Sequence, residues 1–358
     1  RMTPSSRRRS SRTLARDIGS LRVRPEAGAV VQAAVLTAWV AVPLFFNPRT
    51  ERAFEPDKLA WVVLLGMVAL TALVAMALGG IGRAAAVRRS GLPSGLDAAV
   101  AAAAVLYAAS AFGSVARTLS VWGEYRRGQG LVAMIGLLTM YAAARYAGRQ
   151  PGFAALVRRA TVLAVAGVAG YALLQRLGQD NVAYAVEEAP ELRPFGPLGN
   201  PILLSAYLVM ALPILGGWLA EAGHAARSRT ARAGRVFAAV AAVLAAGIAA
   251  LALAQSRGPV LAFLAGLAVW AALALARARR WRAAAVLAIG VSAGVAVLAS
   301  GQVASESLGR LGDLAWGRSR TARERLIVWR TLDGVAGEAG ARGLLGYGPD
   351  TTLLLVSG

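Results

Sequence analysis

Residues 236–276 read VFAAVAAVLAAGIAALALAQSRGPVLAFLAGLAVWAALALA, and this stretch decides the fold. It is 41 residues long and almost entirely apolar. As one helix it would be about 60 Å long, twice the roughly 30 Å thickness of the hydrocarbon core of a bilayer. Its only polar break is Ser256-Arg257-Gly258-Pro259, where Gly and Pro favour a turn. The stretch therefore predicts two membrane-spanning helices joined by a tight hairpin.

The rest of the chain repeats this pattern of long apolar blocks. Of the 358 residues 57% are hydrophobic and only 16% are charged, whereas soluble domains carry about 25% charged residues. Because lipid offers the backbone no hydrogen-bonding partner, each block is predicted to be a helix. The predicted fold is all-α, a polytopic transmembrane helical bundle. It has about nine spans, at 29–46, 59–79, 97–116, 129–147, 159–175, 200–220, 236–255, 259–276 and 283–300.

The distribution of charge predicts which ends of these helices face the cytoplasm. With the N-terminus inside, the inner loops hold 14 Arg and one acid, whereas the first four outer loops hold 9 bases and 8 acids. The positive-inside rule favours this orientation. Residues 1–28 are then a disordered basic cytoplasmic tail, 29–300 form the transmembrane bundle, and 301–358 begin a large external loop with an amphipathic helix. Because no tenth span follows, we expect the chain to be C-terminally truncated.

Composition also narrows the function. The formal net charge is +21, but the Arg residues gather at the ends of apolar blocks, so membrane topology explains them better than nucleic-acid binding does. The chain has no Cys and a single His, His224, which argues against a metal site. The predicted spans hold no interior carboxylate of the kind that ion-coupled transporters need. We therefore expect a lipid bilayer as partner, and no nucleic acid, metal or cofactor.

Arginines on the predicted outer side oppose the positive-inside rule and are the informative ones. They are Arg117, Arg126, Arg127, Arg193, Arg257 and a group from Arg310 to Arg330. A guanidinium is always charged and binds phosphate oxygens bidentately, so it suits a phosphate or diphosphate head group. Arg257 is the clearest case, since it lies at the tip of the predicted hairpin. A snorkelling Arg would explain it without a function, but charges at membrane depth usually mark a site.

Three further outer segments carry Arg residues. Arg126 and Arg127 lie in a polar, aromatic turn before the fourth span, which suits either substrate contact or an aromatic belt. Residues 323–330 predict an amphipathic helix whose Arg residues suit either lipid phosphates or a catalytic role. Residues 193–201 predict a shaped entrance to the sixth span, with Asn200 as its N-cap.

In their order and spacing, these segments resemble the O-antigen ligase/polymerase family of bacterial envelope glycosyltransferases. The similarity runs from about Phe54 to Asp350. The matching pieces are FEPDK at 54–58, YRRGQG at 125–130, GNP at 199–201, QSRG at 255–258, RLIVW at 325–329 and GLLGYGP at 343–349. Two departures stand out. The family uses a His in the large external loop, but no His follows His224 here, so that residue is missing or lies beyond Gly358. Asn200 is followed by Pro-Ile rather than Pro-Asn.

The resemblance implies a GT-C-like helical bundle in the bacterial inner (cytoplasmic) membrane. Its donor would be a glycan on undecaprenyl diphosphate, and its acceptor a hydroxyl of a lipid, polysaccharide or protein at the outer face. Arg257 and Arg325 match two Arg residues of the family that are thought to hold the diphosphate, and they are the expected catalytic residues. Arg126, Arg127 and Arg323 are expected to bind substrate. The expected enzyme is metal-independent and uses no cofactor.

Several functions stay open at this point. The same family includes polysaccharide polymerases and protein O-oligosaccharyltransferases, which the sequence does not separate from a ligase. A transporter of lipid-linked oligosaccharides is the alternative of another class, but it is expected to show inverted repeats with broken helices in both halves. A membrane scaffold would explain the helices but not Arg257. A general base must also take the acceptor proton, and Glu324 and Asp350 are weak candidates for it.

Overall fold

The computed structural model describes most of the chain between residues 26 and 256. The described ranges there are 26–50, 53–78, 94–124, 128–180, 193–226 and 231–256. Beyond them it describes 258–260, 262–264, 266–267, 327, 330–334, 346–349 and 351. Within these ranges the protein is helical and contains no strand, which confirms the predicted all-α class.

Between residues 26 and 256 the described ranges contain eight α-helices and one short 3₁₀ turn. The helices are α1 Glu26–Leu44, α2 Pro56–Leu78, α3 Gly95–Phe112, α4 Arg117–Trp122, α5 Leu131–Ala147, α6 Phe153–Arg176, α7 Pro201–Ala226 and α8 Ala231–Leu253. The 3₁₀ turn, Gly196–Leu198, precedes α7. Each of the first seven predicted spans coincides with one of these helices, and α4 lies in a predicted outer loop. The eighth span is described only in part and the ninth lies outside the described residues, so the count of nine stays a prediction.

Six of the described helices are long and apolar enough to cross a bilayer: α1, α2, α3, α6, α7 and α8. Helix α5 is apolar but shorter. Much of their apolar surface faces away from the protein core: on α3, Val105 is 68% exposed and Leu106 is 61% exposed. Apolar faces of this extent are expected against lipid, whereas in water they mark an interface or an aggregation risk. The chain is therefore a multi-pass membrane protein.

The chain divides into two compact units. The first unit consists of Arg1–Val42, Leu59–Leu156 and Leu345–Thr351. The second consists of Pro43–Lys58, Val157–Leu344 and Thr352–Gly358. In the first unit, α2 and α5 approach closely through small residues: a Cβ added to Gly66 would lie 3.1 Å from the carbonyl oxygen of Gly136. Small residues permit this close packing of helices in lipid.

The core of the second unit is formed by α6, α7 and the end of α8. Its buried side chains are Val165, Val168, Ala169, Ala172, Leu204, Leu208, Ala211, Leu212, Leu215, Ala250, Leu251 and Ala254. A Cβ added to Gly247 would lie 2.7 Å from Leu212 Cδ2, so glycine is what lets α8 lie against α7. The end of α8 therefore lies within this packed core, and the candidate site begins directly after it.

Within each unit, residues predicted to lie on the inner side of the membrane meet at one end. In the second unit Arg158 pairs with Glu221 at 3.0 Å. In the first unit Asp97 accepts hydrogen bonds from Tyr141 Oη at 2.6 Å and from Arg145 Nη2 at 2.5 Å. This grouping agrees with the predicted order of inner and outer loops. Which end faces the cytoplasm stays a prediction.

Candidate functional site

The five Arg residues that the sequence nominates all lie outside the described residues. They are Arg126, Arg127, Arg257, Arg323 and Arg325. The two acids considered as a general base, Glu324 and Asp350, lie outside them as well. The structure does describe the residues that flank Arg257 and the pair Arg126-Arg127. The described turns that flank these arginines therefore define the candidate site.

The apolar stretch is broken at the predicted place. Helix α8 ends at Leu253, and helix resumes at Gly258. Gln255 has a φ of 49°, in the left-handed region, which costs a non-glycine residue about 1–3 kcal/mol. Ala254 is fully buried and Ser256 is 5% exposed. Residues 254–256, named the clamped turn below, thus form a tightly packed turn immediately before Arg257.

Arg193, from a distant segment of the second unit, bonds to the backbone of the clamped turn. Its Nη2 donates to the carbonyl oxygens of Ala254 and Gln255, each at 2.9 Å, and its Nε lies 3.3 Å from that of Ala254. The last carbonyls of a helix lack intrahelical donors, and positive charge is favourable at that end. The sequence groups Arg193 with the arginines that suit phosphate. In the structure, two of the partners of Arg193 are instead the backbone carbonyl oxygens of Ala254 and Gln255.

The segment that carries Arg193 is itself held by side chains from other elements. Gln175 Oε1, at the end of α6, accepts hydrogen bonds from the backbone N–H of Phe195 at 3.2 Å and of Gly196 at 2.7 Å. Gln175 Nε2 in turn donates to Asp180 at 2.9 Å. Lys58 Nζ donates to the carbonyl oxygen of Pro197 at 2.5 Å. Arg193 therefore projects from a braced segment rather than from a free loop.

An aromatic cluster packs against the same segment. The ring of Phe54 lies 5.8 Å from that of Phe46 and 5.6 Å from that of Phe195, and Phe46 lies 5.4 Å from Tyr171. Gly199, with a φ of 73°, approaches Phe54 so closely that an added Cβ would lie 2.5 Å from the Phe54 Cβ. Two of the segments that carry the family resemblance, 54–58 and 199–201, are thus in contact.

Asn200 caps α7, as the sequence predicts. Its Oδ1 accepts a hydrogen bond from the backbone N–H of Ile202 at 2.7 Å, which satisfies one of the free donors at the helix start. Its carbonyl oxygen accepts the N–H of Leu204 at 2.9 Å. Asn200 thus has the predicted structural role at the helix entrance.

In the first unit, the residues around Arg126 and Arg127 form a loop closed at its base. We name the described residues 122–124 and 128–130 the glycine loop. Gly123 has a φ of 86°, and a Cβ added to Gly130 would lie 2.6 Å from the backbone carbon of Trp122, so backbone packs directly on backbone. The N–H of Gly128 donates to the carbonyl oxygen of Glu124 at 2.6 Å. The two ends of the three-residue stretch 125–127 are therefore held together.

Residues 346–349 and 351, part of which match the family's GLLGYGP piece, pack within the first unit. The N–H of Val115 donates to the carbonyl oxygen of Tyr347 at 3.2 Å, and Ser120 Oγ donates to that of Pro349 at 2.9 Å. Ser120 Oγ also lies 2.6 Å from Ser114 Oγ. Thr351 is only 2% exposed. This end of the predicted external loop is therefore packed beside the outer connection between α3 and α5.

The amphipathic helix predicted at 323–330 is only partly described. Ile327 and residues 330–334 are helical, and Thr331 Oγ1 donates to the carbonyl oxygen of Ile327 at 3.0 Å. Ile327 is 63% exposed. Leu326 and Trp329, which define the predicted apolar face, lie outside the described residues. The predicted contact of this helix with lipid or substrate therefore stays a prediction.

Sequence reasoning missed three polar side chains of the second unit: Lys58, Gln175 and Asp180. One signal was available for Lys58, because it is the only Lys in the chain and lies inside the FEPDK piece. Nothing in the local sequence marks Gln175 or Asp180. Gln175 bonds backbone groups 20 and 21 residues further along the chain, and Asp180 accepts a hydrogen bond from the side chain of Gln175.

Among the described residues no group of three or more His, Cys, Asp or Glu side chains gathers to hold a metal ion. Comparison of the whole chain with known proteins adds no assignment. No protein-family model, no curated protein and no solved structure matches it.

Proposed function

We propose that this protein is a membrane glycosyltransferase of the O-antigen ligase type. It moves a glycan from an undecaprenyl-diphosphate carrier to an acceptor hydroxyl at the outer face of the bacterial inner membrane. The observation that carries the proposal is the clamped turn, because a packed, left-handed, side-chain-braced turn directly precedes Arg257. A snorkelling Arg at a helix end would not require such a turn.

The glycine loop supports the same proposal from the first unit. The described residues on either side of Arg126 and Arg127, which are proposed to bind substrate, are held together by backbone contacts. Closing both ends of a short loop lowers the entropy that its side chains lose on binding. In two arginine-bearing segments of the resemblance, the described residues that flank the arginines therefore have a constrained backbone.

The proposed reaction is a single displacement at the anomeric carbon of the lipid-linked sugar. The acceptor oxygen forms the new glycosidic bond, the bond from the anomeric carbon to the diphosphate oxygen breaks, and undecaprenyl diphosphate leaves. Negative charge grows on the departing oxygen, so fixed guanidinium groups stabilise the transition state more than the ground state. Arg257 and Arg325 supply this charge, and no metal is needed for it. A general base takes the acceptor proton, and no residue is assigned to that role.

Substitution of the two proposed catalytic residues tests the function. Arg257→Ala and Arg325→Ala in the intact protein should each lower glycan transfer about a hundredfold, since one lost donor to a developing charge costs about 3 kcal/mol. Arg→Lys at either position should also lose most activity, because an ammonium does not bind bidentately. Transfer is measured as glycan product in cells that lack the native protein and express each variant.

The matched control is Arg232→Ala. Arg232 is an exposed Arg near the start of α8, on the predicted inner side, and its substitution removes the same charge. It should transfer glycan like the wild type. Wild-type activity in both Arg257→Ala and Arg325→Ala, with normal membrane insertion, would remove the proposal.

Product analysis separates the alternatives. In cells without the protein, shortened glycan ladders indicate a polymerase, whereas glycan that accumulates unattached on its lipid carrier indicates a ligase or a protein glycosyltransferase. A transporter moves the lipid-linked glycan without releasing undecaprenyl diphosphate. Release of that product by the purified protein therefore distinguishes an enzyme from a transporter.

A further inference from the structure

Arg193 is the side chain that joins two distant segments of the second unit at the end of α8. Its guanidinium lies across two successive carbonyl oxygens, those of Ala254 and Gln255, 61 and 62 residues further along the chain. A planar guanidinium presents several N–H donors in one fork, so it can bond both acceptors at once, which an ammonium does less well. Arg193 is half-buried, which reduces competition from water for these bonds.

The backbone that Arg193 contacts is in an unfavourable conformation. Gln255 adopts a φ of 49°, where the Cβ crowds the backbone. Such a conformation persists only when surrounding contacts impose it. One of the two carbonyls that Arg193 bonds belongs to Gln255 itself, and the other belongs to the preceding residue. The guanidinium therefore stabilises the left-handed turn at the residue where the turn costs most.

We propose that Arg193 is a positioning residue for Arg257, and this inference rests on the function proposed above. Arg193 holds the clamped turn, and the clamped turn sets the position and direction of the backbone that leads directly into Arg257. Arg193 acts through the backbone rather than by touching the diphosphate. Loss of Arg193 should therefore be partly repaired by any change that makes the left-handed turn easier to adopt.

The absence of Cys from the chain allows a direct test of the turn. A nitroxide label on Gly258→Cys reports the backbone beside Arg257, because Gly258 is exposed and an added Cβ there meets open space. The control label is Gly234→Cys, an equally open position near the other end of α8. Both are read by electron paramagnetic resonance in lipid nanodiscs, with and without Arg193→Ala.

We expect Arg193→Ala to raise the nitroxide mobility at position 258 and to leave position 234 unchanged. An unchanged spectrum at position 258 would overturn the inference. So would an equal change at both positions, because that result indicates general loss of structure rather than release of one turn.

A binding measurement extends the test to Arg257, with undecaprenyl diphosphate as the probe and the purified protein in nanodiscs. Arg193→Ala should weaken binding about tenfold, the order expected when a hydrogen-bonded charge is removed. Gln255→Gly added to Arg193→Ala should restore most of that loss, since glycine adopts positive φ without strain. Gln255→Val alone should reproduce the loss without removing any charge, since a β-branched residue tolerates positive φ poorly.

Two results on binding would overturn the inference. One is failure of Gln255→Gly to rescue Arg193→Ala, which indicates that Arg193 binds the phosphates directly. The other is full binding by Arg193→Ala when Arg257→Ala binds poorly. Failure of the proposed function looks different: Arg257→Ala then binds the probe like the wild type, while the nitroxide spectra still report whether Arg193 holds the turn.

Discussion

The clamped turn directly precedes Arg257, and the glycine loop flanks Arg126 and Arg127. The two are held closed by opposite means. In the glycine loop, backbone packs on backbone because Gly123 and Gly130 have no side chains. In the clamped turn, a charged side chain, Arg193, reaches across to bond two carbonyls. The closure of the glycine loop depends on the absence of side chains at Gly123 and Gly130. The closure of the clamped turn depends on the presence of the Arg193 side chain. The two turns should therefore fail under different kinds of substitution.

This difference has a consequence for how each turn tolerates change. A closure made by direct backbone contact is lost when any side chain is added, whatever its polarity. Even a conservative substitution of glycine therefore disrupts it. A hydrogen-bonded closure tolerates changes of volume but is lost when the donor is removed. Substitutions that change one property at a time can therefore separate the two mechanisms.

The largest effect is expected for Gly130→Ala in the glycine loop. Gly130 has ordinary extended dihedral angles, φ −81° and ψ 178°, so alanine brings no backbone strain and only a clash with the backbone of residues 121–123. We expect a loss of up to about 3 kcal/mol, the range for overpacking a tight site. The midpoint of thermal unfolding in detergent should fall accordingly.

Gly170→Ala in α6 serves as the control for that substitution. An added Cβ at Gly170 meets open space, and the helix should gain up to about 1 kcal/mol in stability from the better helix former. If Gly130→Ala unfolds at the same temperature as the wild type, the glycine loop is not closed by backbone contact, and the contrast between the two turns disappears.

A smaller effect is expected for Lys58→Met, which tests the bracing of the Arg193 segment. Methionine keeps an unbranched apolar stem but removes the donor to the carbonyl oxygen of Pro197. The expected loss is about 1.5 kcal/mol, typical of a hydrogen bond from a charged group. Mobility of the label at Gly258→Cys should rise as well, because the braced segment carries Arg193. Lys58→Arg keeps a donor and should retain most of the stability.

The smallest effect is expected for Asn200→Ala. This exposed residue caps α7 through its side chain, and its loss should cost about 1 kcal/mol in thermal stability. Asn200→Asp keeps an acceptor for the cap and should unfold like the wild type. The label at Gly258→Cys should be unaffected in both variants, since the cap acts on α7. A change there would mean that the cap also supports the clamped turn.

The positions of the helices could be predicted from sequence because the lipid bilayer restricts both the length and the conformation of the segments that cross it. A bilayer requires apolar blocks of about twenty residues and makes each one helical, which located seven of the described helices, six of them long enough to cross a membrane. The length argument for residues 236–276 also located the break before Gly258. The N-cap at Asn200 followed from local chemistry. These predictions depend on residues close together in the chain.

The contacts that build the candidate site could not be predicted in this way. Arg193 reaches residues 61 positions away, and Lys58 bonds a carbonyl 139 positions away. Hydropathy carries no information about such pairs. The positive-inside rule marked Arg193 as unusual, yet it did not reveal that carbonyls rather than phosphates are among its partners. The roles of Arg257 and Arg325 remain predictions that their substitution will decide.

The docking of Pro349 on Ser120 imposes an order on how the protein is made. These partners are 229 residues apart, and ribosomes add about 5–20 residues per second, so Ser120 is synthesised roughly 10–50 s before Pro349. In the folded protein the hydroxyl of Ser120 also lies 2.6 Å from that of Ser114, only six residues away in the chain. Docking of the 346–351 segment is therefore a late step of biogenesis, and protease sensitivity of the α3–α5 connection in nascent chains would report its timing.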